Sequence, residues 1–103
     1  MTCFEVIVQP RAEREIRNIH GFLATTVPAS AERWLNGISN AILSLEEMPE
    51  RCPLAPEGVH FRKRIRHLLF EGYRIIYWID GRHVRVLTVR HPRQRPLRRK
   101  RLD

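Results

Sequence analysis

Residues 73–91 read YRIIYWIDGRHVRVLTVRH, two β-branched and aromatic runs that meet at Asp80 and Gly81. Asp-Gly between alternating apolar runs is a strong hairpin signal, because a type I′ turn needs positive φ at both central residues. With Asp80 and Gly81 as a two-residue loop, Ile79 faces Arg82, Tyr77 faces Val84 and Ile75 faces Val86. Side chains alternate across a strand. One face therefore carries Tyr73, Ile75, Tyr77, Val84 and Val86, and reads as core. The other carries Arg74, Ile76, Trp78, His83, Arg85, Leu87 and Val89, apolar in substance but studded with cations. Such a hairpin has one face for helices to cover and another to show to a partner.

The chain before it supplies the cover. Residues 4–8 (FEVIV) form a short strand with Phe4, Val6 and Val8 on one side, closed by Pro10. From Arg11 the period changes to three and four: Ala12, Ile16, Ile19, Leu23 and Val27 make a helical stripe, with Glu13 and Arg17 as an outward pair. Pro28 breaks that helix and suits the first turn of the next. Ala31, Trp34, Leu35, Ile38, Ala41, Ile42, Leu45 and Met48 form the second stripe, which stops at Pro49. Trp34 and Met48 read as core filler, and Gly37 inside this helix as a point of close packing. Helices joined by so few residues are antiparallel neighbours.

Residues 51–61 (RCPLAPEGVHF) read as a proline-punctuated loop, with Glu57 and His60 at the surface. Residues 63–70 (KRIRHLLF) form a strand that Glu71 and Gly72 turn into the hairpin. Its register stays open. A two-residue turn places His67 on the face of Arg74, whereas one bulged residue places Arg64 and Arg66 there. The order is β-α-α-β-β-β, an α+β two-layer fold with a helical hairpin packed on an antiparallel sheet.

At 103 residues the chain holds one domain, expected over residues 1–97, with a basic tail at 98–103. The net charge is +8, unevenly placed: residues 1–89 hold 12 Lys and Arg against 10 Asp and Glu, residues 90–103 seven against one. A polyanion or an acidic protein suits such a balance. No apolar run approaches membrane-spanning length, and the first residues lack the pattern of a signal peptide. Cys3 and Cys52 belong to no paired motif, so a reducing, cytoplasmic setting is expected.

His20, His60, His67, His83 and His91 show no metal-ligand spacing, and no metal or cofactor is expected. There is no nucleophile elbow, no glycine-rich phosphate loop and no paired carboxylate in a setting for acid–base work. What remains is a basic and aromatic set: Arg64, Arg66, Arg74, Arg85, Arg90, His91, Arg93 and Arg95, near Tyr73, Tyr77 and Trp78. Arginine clamps phosphate bidentately, and aromatic rings stack on unpaired bases. Cleavage of RNA by its own 2′-hydroxyl needs a base, an acid and cationic stabilisation. His91 is the candidate base or acid, with Arg74 and Arg66 as the clamp.

GYRIIYWIDGRHVRVLTVRH, preceded by RKRIRHLL and a helical hairpin, resembles the RelE/ParE superfamily of toxins from type II toxin–antitoxin pairs. The resemblance runs from FEVIV to about Leu97. It implies the fold just described and one of two targets. RelE-like members look like ribosome-dependent mRNA endonucleases, in which basic residues on the sheet line up the message. ParE-like members share the fold, poison DNA gyrase and have no known hydrolytic site. By the resemblance, Arg64 and Arg66 stand where RelE-like enzymes keep lysines, and Arg74 matches their strand arginine. Their further arginine is replaced by His91-Pro92-Arg93, and no tyrosine follows Tyr77.

The expectation is therefore a ParE-like, non-hydrolytic toxin that inhibits gyrase and is neutralised by a cognate antitoxin. The alternatives are a RelE-like endoribonuclease acting through Arg66, Arg74 and His91 on mRNA in the translating ribosome, and an inactive basic interaction module. Ile76, Trp78, Leu87 and Val89, read as an exposed apolar face, are the expected antitoxin contacts.

Overall fold

The computed structural model describes residues 3–61 and 63–91. The hairpin forms, as β3 (Tyr73–Asp80) and β4 (His83–Arg90), but its loop is Gly81 and Arg82. Asp80 stays in the strand opposite His83, and its carboxylate accepts a hydrogen bond from Arg85 Nε at 3.0 Å. Only Gly81 takes positive φ, 61°. This follows the type II′ pattern, in which glycine at the first central position alone carries the unusual conformation. The pairing thus becomes Ile79 with Val84 and Tyr77 with Val86, two residues from the expected register. A shift of two preserves the faces, so Val84 and Val86 still point with Tyr77.

A bulge then changes the faces. Tyr77 pairs with Val86 but Ile76 pairs with Thr88, leaving Leu87 as the extra residue. Beyond it Val89 lies opposite Ile75 and joins the main core at 3% exposure, contrary to the expectation that it faces out. Sequence alternation carries no mark of such an insertion. The turn with two positive φ values occurs one hairpin earlier, at Glu71 (46°) and Gly72 (86°). It joins β2 (Ile65–Phe70) to β3 with Phe70 opposite Tyr73. Of the two registers left open, the two-residue turn is the one adopted.

The sheet order is β1-β4-β3-β2, with β1 at Glu5–Val8. β2, β3 and β4 pair antiparallel, whereas β1 runs parallel to β4 and covers only residues 83–86 of its edge. Gln9 N donates to Val86 O at 2.9 Å as the chain leaves the sheet. α1 (Pro10–Thr26) starts there with proline in its first turn, where a missing N–H costs nothing. Val27 alone separates it from α2 (Pro28–Leu43), ending one helix and beginning the other. Both helices cover one sheet face. Ala12, Trp34, Ile38, Ile42 and Leu45 meet Ile75, Tyr77, Val84, Val86 and Val89 there, with Phe4, Val6 and Val8 beside them. Gly37 lets α2 pass close to β2, since a Cβ at that position would lie 2.5 Å from the ring of Phe70.

α2 ends earlier than its apolar stripe. After Leu43 a 3-10 turn (Ser44–Glu46) takes over, and Leu45 is the last residue of the stripe to be buried. Met48, expected in the core, is 70% exposed and left-handed at φ 48°. Pro49 disfavours a helical conformation in the residue before it, and the chain reverses at that point instead. Arg51 fastens the reversal, its Nη1 donating to Glu47 O at 2.8 Å and its Nη2 to Ser44 Oγ at 2.8 Å.

Residues 52–61, expected to be a loop, cover the other face of the sheet as a strap. Ala55 N donates to Ile65 O at 2.6 Å and His67 N to Pro53 O at 3.2 Å, along the outer edge of β2. One helical turn, α3 (Gly58–Phe61), follows. Ala55, Ile65 and Ile76 form a second, small core with Phe61 and Leu87 packed on it. Ile76 is fully buried. The face expected to lie bare is therefore covered by the chain itself. Among the described residues no helix is long and apolar enough to cross a membrane.

Candidate functional site

At the centre of the strap-covered face is Arg74. Strand alternation turns it away from the helices, and its side chain is only 15% exposed. Such a cation needs a partner, and the strap delivers one. Arg74 Nη1 and Nη2 donate to the two carboxylate oxygens of Glu57 at 2.8 and 2.7 Å, while Nε donates to His67 Nδ1 at 3.0 Å. This is the two-pronged geometry in which a guanidinium binds a carboxylate or a phosphate most strongly. Glu57 has no exposed surface at all.

The protonation states follow from the contacts. Burial acts to raise the Glu57 carboxyl, but the hydrogen bonds and charge of Arg74 outweigh it and hold the group below its ordinary value. Burial, then the charge of Arg74, hold the His67 imidazole below its usual value, against the pull of Glu57. His67 accepts at Nδ1, so its one proton sits on Nε2. Arg90 is the cross-strand neighbour of Arg74 and is 7% exposed. Burial lowers its pKa, the charges of Glu15 and Glu57 oppose that, and those of Arg11 and Arg74 add to it. As cross-strand neighbours Arg74 and Arg90 share a face, and the carboxylates of Glu15 and then Glu57 favour the charged form of Arg90 against the repulsion of Arg11 and Arg74.

Among the described residues, Arg64, Arg66, Arg85 and His91 do not gather around Arg74. Arg66 pairs with Tyr77 and so points to the helix-covered side, where its Nη1 donates to Cys52 O at 2.6 Å. Arg64 is exposed just before β2. Arg85 is bound to Asp80 at the far end of the hairpin. His91 lies with its ring against Tyr73, 5.5 Å between centroids, on the helix-covered side. There it lines a cleft of about 240 Å³ with Glu15, Asn18, Ile19 and Val89. Glu15 closes the part of the β4 edge that β1 leaves open, accepting from Thr88 Oγ1 at 2.6 Å and Val89 N at 3.0 Å. Arg93 and Arg95, and the expected boundary between residues 97 and 98, lie outside the described residues.

Of the expected apolar contact face, Ile76 and Val89 are buried, and Leu87 and Trp78 are half-buried. The ammonium of Lys63 stands 4.0 Å from the ring centre of Trp78, a cation–π contact. A larger apolar groove, about 450 Å³, lies on the helical side. Val8, Ile16, Leu35, Ile42 and Leu43 line it beside Glu13 and Arg17, which pair across 3.4 Å. Among the described residues no group of three or more His, Cys, Asp or Glu side chains is placed to hold a metal ion.

The family model for the ParE toxin of the type II toxin–antitoxin system parDE matches residues 6–96. The chain belongs to the ParE toxin family. No curated protein sequence matches it significantly. Among solved structures, a chain of the chromosomal ParDE toxin–antitoxin system from P. aeruginosa superposes with a TM-score of 0.70 at 12% identity, over 86% of this chain and 96% of that one. Identity that low makes the likeness one of fold.

Glu57 is the residue that sequence reasoning placed at the surface and the structure places at the centre. Nothing in a proline-punctuated segment reveals an inward side chain, because neither helical nor strand periodicity applies to it. The available signal was Arg74, an arginine on a strand with apolar neighbours, which could not be buried without a carboxylate.

Proposed function

We propose that this ParE-family chain is a growth-arresting toxin that inhibits DNA gyrase by binding it, without hydrolytic chemistry, and that a cognate antitoxin neutralises it. The observation that carries the non-hydrolytic reading is the separation of Arg66, Arg74 and His91. Arg74 points to one face of the sheet, and Arg66 and the His91–Tyr73 contact lie towards the other. Along β3, Arg66 stands beside Tyr77 and His91 beside Tyr73, about 13 Å apart at strand spacing. A base or acid and its electrostatic clamp must both reach one scissile phosphate, and these three do not converge on one. The guanidinium of Arg74 is moreover already engaged by Glu57.

An antitoxin has a seat available. The groove bounded by Ile16, Leu35, Ile42 and Leu43 has the apolar lining that the face of an amphipathic helix packs against, with the Glu13–Arg17 pair at its side. The decisive test of the target is a pair of cell-free assays on purified chain: gyrase supercoiling of a plasmid, and mRNA integrity during translation. The expected result is loss of supercoiling with the message intact, and a His91→Ala variant as toxic as the original. Message cut only during translation, together with toxicity lost in the folded His91→Ala variant by about tenfold or more, sinks this reading in favour of the endoribonuclease.

A further inference from the structure

The strap over Arg74 has the composition of a bound peptide ligand. Its sequence, PLAPEGVHF at residues 53–61, places apolar residues on either side of one carboxylate. Ala55 and Phe61 pack on Ile65, Ile76 and Leu87, and Glu57 fills the fork of Arg74. Two backbone hydrogen bonds, Ala55 N to Ile65 O and His67 N to Pro53 O, run along the edge of β2 as an added strand would. The attachment is otherwise slight. Leu54 remains 48% exposed and Val59 83%, and α3 is a single turn of four residues. Beneath the strap lie Arg74, whose fork Glu57 fills, and Arg90, its cross-strand neighbour on the same face.

We propose that the face formed by Ile65, Ile76, Leu87, Arg74 and Arg90 is a second protein-binding surface, closed in the free chain by residues 53–61. Its partner is an extended segment with aliphatic or aromatic residues flanking an acidic one. In the bound state the partner's carboxylate replaces Glu57 on Arg74, and its apolar side chains replace Ala55 and Phe61. The strap is the intramolecular competitor, and the Glu57–Arg74 pair sets how firmly it holds. The inference is independent of whether gyrase or mRNA is the target.

The test uses the full chain, unchanged and as the Glu57→Gln variant, with the nine-residue peptide of residues 53–61 as probe. Amide hydrogen exchange reads the strap. In the variant, the amides of Ala55 and His67 should exchange at least about tenfold faster while those of β3 and β4 keep their protection. Peptide binding reads the surface. The peptide should shift the Arg74 Nε–H and Ile76 amide signals of the variant saturably, at least about tenfold more tightly than those of the unchanged chain, whose own strap competes. A peptide with Gln in place of its Glu should bind neither. Equal loss of protection across β3 and β4, or no binding to a folded variant, overturns the proposal. So does a single-stranded RNA that shifts the same signals more tightly than the peptide. If Glu57→Gln does not fold, Glu57→Asp takes its place; if neither folds, the strap is part of the core and the proposal fails.

Discussion

The two faces of the sheet are covered by opposite means. On the helical side, two long helices press eleven buried residues into one core, from Ala12 to Val89. On the strap side, three buried apolar residues suffice, and the anchor is a charged pair. Dispersion and hydrophobic burial act over the whole of the first contact, whereas the second depends on one carboxylate meeting one guanidinium. The helical side is thus an area effect, tolerant of small rearrangements. The strap side is a point effect, whose energy disappears when either partner does. A face built the second way is the one that a partner of matching charge is able to take over.

The largest expected effect lies on the helical side. Ile38 is fully buried among Trp34, Ile42 and the sheet. Ile38→Ala should cost about 4 kcal/mol in urea unfolding, spread over every element, because the cavity removes contacts from both layers. If exchange protection fell only in α2, the helical core would not be one cooperative unit.

Next comes the strap. Removing one member of a buried ion pair strands the other, so Glu57→Leu should cost about 3 kcal/mol. Adding Arg74→Met to it removes the stranded charge and restores part of that loss. A double-mutant cycle measures the coupling. Additive costs for the two substitutions would show that Glu57 and Arg74 do not depend on each other.

The smallest effect is that of pH, and its sign is fixed by the two lowered pKa values. The unfolded chain takes up a proton at His67 near 6.5, the folded chain only at lower pH. Stability therefore falls as pH drops below 6.5. Glu57 behaves alike from 4.5 downwards, since its folded carboxyl also holds its proton less tightly than the unfolded one. Both losses originate on the strap side, so Ala55 and Gly58 amides should lose exchange protection in acid before those of β3. A strap whose protection is flat between pH 7 and 4 would contradict the pairing of Glu57, Arg74 and His67.

Where a regular period exists, the sequence was readable. Ile16, Ile19, Trp34 and Ile38 show the helical hairpin, and Ile75, Tyr77, Val84 and Val86 show the strand face that it covers. The order of elements and the family follow from those positions with the GYR and VRH flanks. Local rules lost out where two backbone solutions were open to the same residues. Asp80-Gly81 looked like one turn and became another, because a type II′ loop asks positive φ of Gly81 alone. Met48 continued a helical stripe but stood before a proline. Val89 alternated outward until the bulge at Leu87 reversed it.

The candidate sites divide in the same manner. The sequence by itself determined that this chain is an α+β toxin of the RelE/ParE kind with a strongly basic balance, since periodicity and residue order are properties of the chain. Only the tertiary structure decided which cations meet. It turned Arg66 and Arg74 to opposite faces, set His91 against Tyr73, and brought Glu57 from a segment without periodicity onto Arg74. The reason is physical: a strand fixes which way its own side chains point, but the partner that neutralises a buried charge comes from wherever the fold brings the chain back.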